Sequence, residues 1–404
     1  MSYNNASTLP AITGLGYSQE AVCSYLAPIH AENQNAGFGV CQYTTGATAV
    51  TYGYAGGVYS PTQNRIYLVP YNQAPQTYWH YVDCNTGAVV AYDHPGMAAV
   101  SGGYSGGAYS PTQDRIYFSP AKQGGQSLWH YIDCRTGLVG SYTAGVGVVT
   151  VSDAYSGAAY SPTQDRIYFA PSAHAPNAHA PNASWHYVNC ATGTAVAYTH
   201  VGTTALTSAY SGACYSPLNN RIYFSPSGQA AQGTLHYVDC GTGTISAYSA
   251  PVLAQYSYDG AAYSPMNDRI YFIPSARASS STWHYLDCAT GTVVAYASLA
   301  GITTNYTGGS YSPVSNRIYL AQCPATSAAT WHYIDCTTGT VVAYVGEATA
   351  VAYRYVGSVF DPVHNRVYFV PYAQTGALYW HYIQEYVSTI VPPAVTSLPM
   401  FNKY

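Results

Sequence analysis

Short apolar runs, separated by polar and Gly/Pro-rich punctuation, recur along most of the chain. Within residues 104–142 four follow one another: Gly106-Gly107-Ala108-Tyr109, then Arg115-Ile116-Tyr117-Phe118, then Trp129-His130-Tyr131-Ile132-Asp133, then a last run ending at Tyr142. β-Branched and aromatic runs bounded by Pro, Gly and Asn or Asp predict strands, here named a, b, c and d. The a–b link, Ser-Pro-Thr-Gln-Asp, puts Pro at the second position of a tight turn and an acidic or amide residue near its end. The c–d link, Asp-Cys-Arg-Thr-Gly, ends in a Gly suited to the left-handed residue of a short hairpin.

This unit repeats. The Arg that opens strand b returns at Arg65, Arg115, Arg166, Arg221, Arg269, Arg317 and Arg366, and the His of strand c at His80, His130, His186, His236, His284, His332 and His381. Copies spaced by about 50 residues fall in the range of propeller blades. The predicted fold is all-β, a seven-bladed β-propeller of four-stranded blades, and it overrides the two or three domains that chain length would suggest. The a–b and c–d turns share one face of such a disc and hardly vary in length. The b–c and d–a loops share the other face and differ from blade to blade, which is where recognition usually lives.

The last copy loses its c–d turn and reads Gln384-Glu385-Tyr386 instead. Near the front, Phe38 to Tyr52 reads as a strand, the turn Thr44-Thr45-Gly46 and a second strand. Ala47–Tyr52 is therefore expected beside Trp380–Tyr386, closing the ring and removing its open edge. The domain reading is 1–42 as an N-terminal arm and lead-in, with a short helix from Ser18 to about Leu26, 43–390 as propeller, and 391–404 as tail.

Charged residues make up 7% of the chain and the net charge is −4, so no basic field exists to hold nucleic acid or an anionic membrane. Tyr alone contributes 46 residues. A neutral surface of Tyr, Ala, Ser, Thr and Gly favours self-association, so work inside a large assembly is expected. The N-terminus has no secretory signal pattern, and no apolar run reaches membrane-span length. Cys84, Cys134, Cys190, Cys240, Cys288 and Cys336 hold one blade position and are too far apart to bridge, so they read as packed thiols. Cys23, Cys41, Cys214 and Cys323 are irregular, and a disulfide among them is left open.

Antiparallel pairing of b with c sets Arg65 near Asp83, Arg115 near Asp133, Arg221 near Asp239, Arg269 near Asp287 and Arg317 near Asp335. These read as structural pairs in which the guanidinium fork holds the carboxylate and turn carbonyls. Asn189 and Gln384 replace the acid in blades three and seven. The seven His stand too far apart to share a metal and read as side chains wedged between blades. The loop pair His174 and His179 is a weak metal candidate. Trp79, Trp129, Trp185, Trp283, Trp331 and Trp380 open strand c. Their main reading is packing between blades; the alternative is stacking on sugar rings, which Leu235 in blade four could not do. Gly56, Gly106, Gly157, Gly212, Gly260, Gly308 and Gly357 lie mid-strand a, nearest the axis, where absence of a side chain lets strands converge. No clustered carboxylates or nucleophile motif call for an enzyme. No cofactor, catalytic residue or metal site is expected. Sequons at Asn5, Asn182 and Asn305 matter only in a glycosylating compartment.

Asp361–Val370 (D-P-V-H-N-R-V-Y-F-V) and His332–Tyr344 (H-Y-I-D-C-T-T-G-T-V-V-A-Y) resemble repeats of the YVTN and PQQ-like β-propeller superfamily. The resemblance covers about residues 43–386 and rests on blade-building residues, so it implies architecture and carries over no enzymatic residue. The composition is similar to that of phage and virus surface proteins. The functional expectation is a non-catalytic subunit of an extracellular assembly: a virion surface, filament or surface layer. The alternative is a carbohydrate-binding adhesin or receptor-binding propeller using the loop face.

Overall fold

The computed structural model describes residues 38–44, 53–71, 78–94, 102–121, 128–143, 154–172, 184–199, 209–254, 256–275, 280–299, 302, 304–323, 330–346, 355–372 and 379–386. The strand β1 (Phe38–Thr44) comes first. Blade 1 follows as β2 (Tyr54–Ser60), β3 (Arg65–Pro70), β4 (Tyr78–Asp83) and β5 (Ala88–Asp93), hydrogen-bonded in that order. Blades 2 to 6 repeat it: β6–β9 (residues 104–143), β10–β13 (155–199), β14–β17 (210–249), β18–β21 (258–297) and β22–β25 (306–345). Blade 7 holds β26 (Tyr355–Asp361), β27 (Arg366–Pro371) and β28 (Tyr379–Glu385), with β1 as its outer strand. The innermost strands touch in succession, and β2 meets both β6 and β26, so the ring is closed.

Closure by an N-terminal strand holds, but the strand is Phe38–Thr44 rather than Ala47–Tyr52. In the other blades a Val, Ile or Ala pairs with the penultimate apolar residue of strand c, and a Tyr three positions later pairs with Trp or Leu: Val89 with Val82 and Tyr92 with Trp79. In blade 7 Val40 pairs with Ile383 and Tyr43 with Trp380. Val40 and Tyr43 thus take the places that Val89 and Tyr92 hold in blade 1. The wheel begins at Phe38, inside the stretch read as lead-in. Residues 45–52, the arm helix, the tail and Cys23 lie outside the described residues.

Both turns form as their sequences predict. The residue before each Arg, from Asn64 to Asn365, takes positive φ of 51° to 55°, where a short polar side chain is tolerated. Each c–d turn closes on a left-handed Gly, such as Gly87 at φ 72°. The third feature is a register shift in every strand a, such as that between Tyr54 and Gly57 in blade 1. It sits beside the axial glycines. There an added Cβ would meet the next glycine's Cα at 3.4 Å from Gly56, 2.7 Å from Gly106, 3.0 Å from Gly157, 3.2 Å from Gly212, 3.4 Å from Gly260, 2.8 Å from Gly308 and 3.8 Å from Gly357. Seven backbones converge on the axis because none carries a side chain there.

Between blades the core is aromatic. Trp79 packs edge-on to Phe118 at 5.8 Å, Trp129 to Phe169 at 5.9 Å, Trp185 to Phe224 at 5.6 Å and Trp331 to Phe369 at 5.3 Å. Burying each indole contributes on the order of 2–3 kcal/mol.

Candidate functional site

The repeated chemical groups lie where the predicted register puts them, but several do other work. Arg65 and Asp83, Arg115 and Asp133, Arg221 and Asp239, Arg269 and Asp287, and Arg317 and Asp335 are each direct cross-strand partners. Among the described residues only two of these five approach as ion pairs, Arg65–Asp83 at 4.0 Å and Arg115–Asp133 at 3.8 Å. The carboxylates turn away to cap the c–d hairpin. Asp83 Oδ1 accepts from the Asn85 and Thr86 amides at 3.0 and 3.2 Å, and Asp335 Oδ1 from Thr337 and Thr338 at 2.9 and 3.2 Å. Asn189 does the same with Ala191 and Thr192, so the position needs an acceptor rather than a charge.

The guanidinium has a different partner, the Tyr two residues after Trp or Leu in strand c. Arg65 lies 4.2 Å over Tyr81, Arg115 4.3 Å over Tyr131, Arg221 4.2 Å over Tyr237 and Arg366 5.0 Å over Tyr382. Cation–π contact of this kind contributes roughly 0.5–2 kcal/mol. The expected Arg–Asp ion pair thus forms at Arg65 and Arg115, and beside it the guanidinium stacks on Tyr while the Asp caps the turn. Only Arg366 keeps a close bond to the acceptor, with Nε donating to Gln384 Oε1 at 2.7 Å.

The His residues are buried, and each Nδ1 shares a hydrogen bond with the first Tyr of strand a in its own blade. His284 pairs with Tyr258 and His332 with Tyr306, both at 2.6 Å, and His80 pairs with Tyr54 and His130 with Tyr104. The bond spans the first and third strands past the second. This is possible because b and c pair only over their turn-side halves, as at Arg65, Ile66 and Tyr67. Burial lowers His80, His130 and His332 to about 4.

All six Trp are buried, from 0% exposed at Trp129 and Trp283 to 4% at Trp79. No indole face is open for a sugar to stack on; among the described residues the exposed aromatics on the loop side are Tyr78 and Tyr256. The regular thiols are free and buried. Five of the six abut the Ser that ends strand a of the preceding blade, Cys134 against Ser60 and Cys240 against Ser161, and desolvation raises these two to about 12 and about 11; Cys84 abuts Asp361 instead. Among the described residues Cys41, Cys214 and Cys323 form no disulfide.

Blade 7 departs from this rule on both flanks. Glu385 takes the Cys position and accepts from Ser312, Ser315 and Tyr319 of blade 6, and burial raises its carboxyl. Asp361 takes the Ser position, fully buried, and accepts from the Val363 amide and from His364 Nδ1, each at 2.9 Å. Sequence reasoning noted the missing turn at Glu385 but not that this carboxylate fills the thiol's place in the seam.

Beside the glycine ring the second residue of strand a is hydroxylic in four blades. Ser105 and Ser156 hydroxyls lie 3.3 Å apart, Ser211 Oγ donates to Tyr258 O at 3.1 Å and Thr307 Oγ1 to Tyr355 O at 2.8 Å. Asp259 occupies this position in blade 5, its carboxyl pushed up to about 6 by burial. Among the described residues no three His, Cys, Asp or Glu side chains converge as metal ligands, and no helix is long and apolar enough to cross a membrane. His174 and His179 lie outside the described residues.

No protein-family model and no curated protein sequence matches the chain. Solved structures do. A streptogramin B lyase is similar with a TM-score of 0.59 at 13% identity, over 88% of this chain and 99% of that one. Hydrazine synthase of Kuenenia stuttgartiensis is similar with a TM-score of 0.57 at 13% identity, over 85% of this chain and 98% of that one. The extracellular domain of a hybrid two-component system from B. thetaiotaomicron gives 0.56 at 7% identity, over 85% of this chain and 40% of that one. The chain is a seven-bladed β-propeller. At these identities the likeness is one of fold, in line with the YVTN and PQQ-like resemblance of its repeats.

Proposed function

We propose that this propeller is a non-catalytic structural subunit of an extracellular assembly, such as a virion surface, a filament or a surface layer. One observation carries the reading. Each repeated Arg, His, Trp, Cys and Gly is consumed in holding the ring together, by a Tyr stack, a Tyr hydroxyl, a neighbouring blade or the axis. What remains outside is a surface with few charges, in a chain only 7% charged. Burying uncharged surface avoids the desolvation cost that charges impose. Size-exclusion chromatography with negative-stain imaging tests it: large regular particles or fibres are expected, and a clean monomer at high concentration contradicts it.

A second reading, carbohydrate binding on the loop face, draws support from exposed Tyr78 and Tyr256 rather than from the buried Trp residues. Glycan-array binding that disappears on Tyr256→Ala and survives Trp129→Phe would favour it.

A further inference from the structure

The second residue of each strand a stands between the loop face and the axial glycine, because the first residue pairs with the end of strand b, as Tyr258 does with Pro274 and Tyr306 with Gln322. Round the ring these second residues are Ala55, Ser105, Ser156, Ser211, Asp259, Thr307 and Val356. Their hydroxyls hand hydrogen bonds to the next blade in one direction. Ser156 Oγ donates to Ser211 O at 3.5 Å, Ser211 Oγ to Tyr258 O at 3.1 Å and Thr307 Oγ1 to Tyr355 O at 2.8 Å. Ser211 Oγ also accepts from Gly260 N at 3.2 Å, so it touches the backbone on both sides of Asp259.

Blade 5 breaks this relay. By the repeat, the acceptor available to residue 259 is the Tyr306 carbonyl of blade 6, and an ionised carboxylate has no proton to donate to it. The two blades are close here: a Cβ on Gly260 would lie 3.4 Å from the Gly308 Cα. Among the described residues no group hydrogen-bonds the Asp259 carboxylate, and burial alone pushes it up to about 6. The buried acids of blade 7 differ, since Glu385 accepts from three hydroxyls and Asp361 from an amide and His364. A carboxylate withdrawn from water without a partner is destabilising, and a proton or a cation relieves it.

The groups around Asp259 are hard oxygens carrying one net negative charge: its own carboxylate, the Ser211 and Thr307 hydroxyls and the Tyr306 carbonyl. The buried Cys323 thiol lies here too. Desolvation and then the Asp259 charge push it up to about 12, while the Thr307 hydroxyl pulls the other way. It therefore stays protonated at neutral pH and offers no thiolate to a soft metal. Divalent sites gather several carboxylates; here there is one, and among the described residues no three His, Cys, Asp or Glu side chains converge. Oxygen ligands of single charge suit a singly charged ion.

We propose that a monovalent alkali cation, Na⁺ or K⁺, binds at Asp259 on the loop side of the axis, beside the Ser211 and Thr307 hydroxyls, and ties blade 5 to blade 6 where the relay lacks a donor. The site goes beyond the assembly reading and does not depend on it, because it needs only the closed ring.

Thermal melting of the full chain at about pH 7.5 and one ionic strength, in NaCl, KCl or choline chloride, tests this. The wild type should melt about 2 °C or more higher in an alkali salt than in choline chloride. Asp259→Asn keeps the shape and removes the charge, and Asp259→Ser restores the donor that Ser211 supplies in blade 4. Both variants should melt alike in all three salts, and the sodium NMR line that the wild type broadens should stay narrow with either. Equal melting of the wild type in alkali and choline salts overturns the site, as does a salt difference that persists in both variants. Calcium chloride at millimolar concentration forms a further arm: a rise seen with calcium and with neither alkali salt overturns the monovalent assignment.

Discussion

At Gly106 an added methyl group would lie 2.7 Å from the Gly157 Cα, and the backbone φ is 75°. Both effects oppose Ala, so Gly106→Ala should lose on the order of 2–4 kcal/mol of unfolding free energy. Gly87 has a similar φ of 72° but nothing within 4 Å of the new Cβ, and Gly87→Ala should cost about 1 kcal/mol. Urea titration of both variants separates axial crowding from backbone strain; equal losses would mean the glycine ring is not the constraint. The buried His residues set a pH dependence. Burial lowers His80, His130 and His332 to about 4, while an unfolded His titrates near 6.5. Between these values the unfolded chain takes up protons that the folded chain refuses. Stability is therefore fully present above about pH 6.5 and declines as pH falls toward 4, by on the order of 1–3 kcal/mol per His. Glu385, whose carboxyl is raised, works the other way, its contribution lost as pH rises. Urea unfolding at pH 7.5 and 5 should show the net loss, reduced in His130→Gln; equal stability at both would contradict the burial argument.

At the scale of single strands, the decisive piece is β1, which closes blade 7 from the far end of the chain. Removing residues 38–44 would expose the outer edge of β28 and the Trp380 face that Tyr43 covers at 5.8 Å. The expected result is loss of cooperative unfolding and aggregation through the bare edge, read by melting and light scattering; an unchanged melting curve would mean β1 is dispensable. The strands a to d, both turns and the cross-strand partner of each Arg were legible from the repeats, because each depends on local spacing. The closing strand was harder. Ala49-x-x-Tyr52 and Val40-x-x-Tyr43 carry the same spacing, so the pattern of the two runs does not separate them, and only the pairing of Val40 with Ile383 and Tyr43 with Trp380 identifies the partner. The Arg–Tyr stack was also hidden. Asp lies directly opposite Arg in register, and only three dimensions reveal that its carboxylate is occupied by the turn amides.

At the scale of the whole molecule, two features stand out: a closed ring and a chain only 7% charged. Five interblade seams share one Cys–Ser chemistry, and the two that flank blade 7 differ, one holding Glu385 and the other Asp361. The ring's role could not be read from motif chemistry, because its conspicuous residues are structural and the loops that would distinguish one propeller from another share no repeat. We propose that neutral surfaces of this ring bind one another. Sedimentation velocity across a concentration series, in low salt and again in about 1 M salt, tests that most directly, because contacts between uncharged surfaces escape ionic screening. The predicted result is large species that grow with concentration and persist in high salt. A single species with the mass of one chain at every concentration would contradict it.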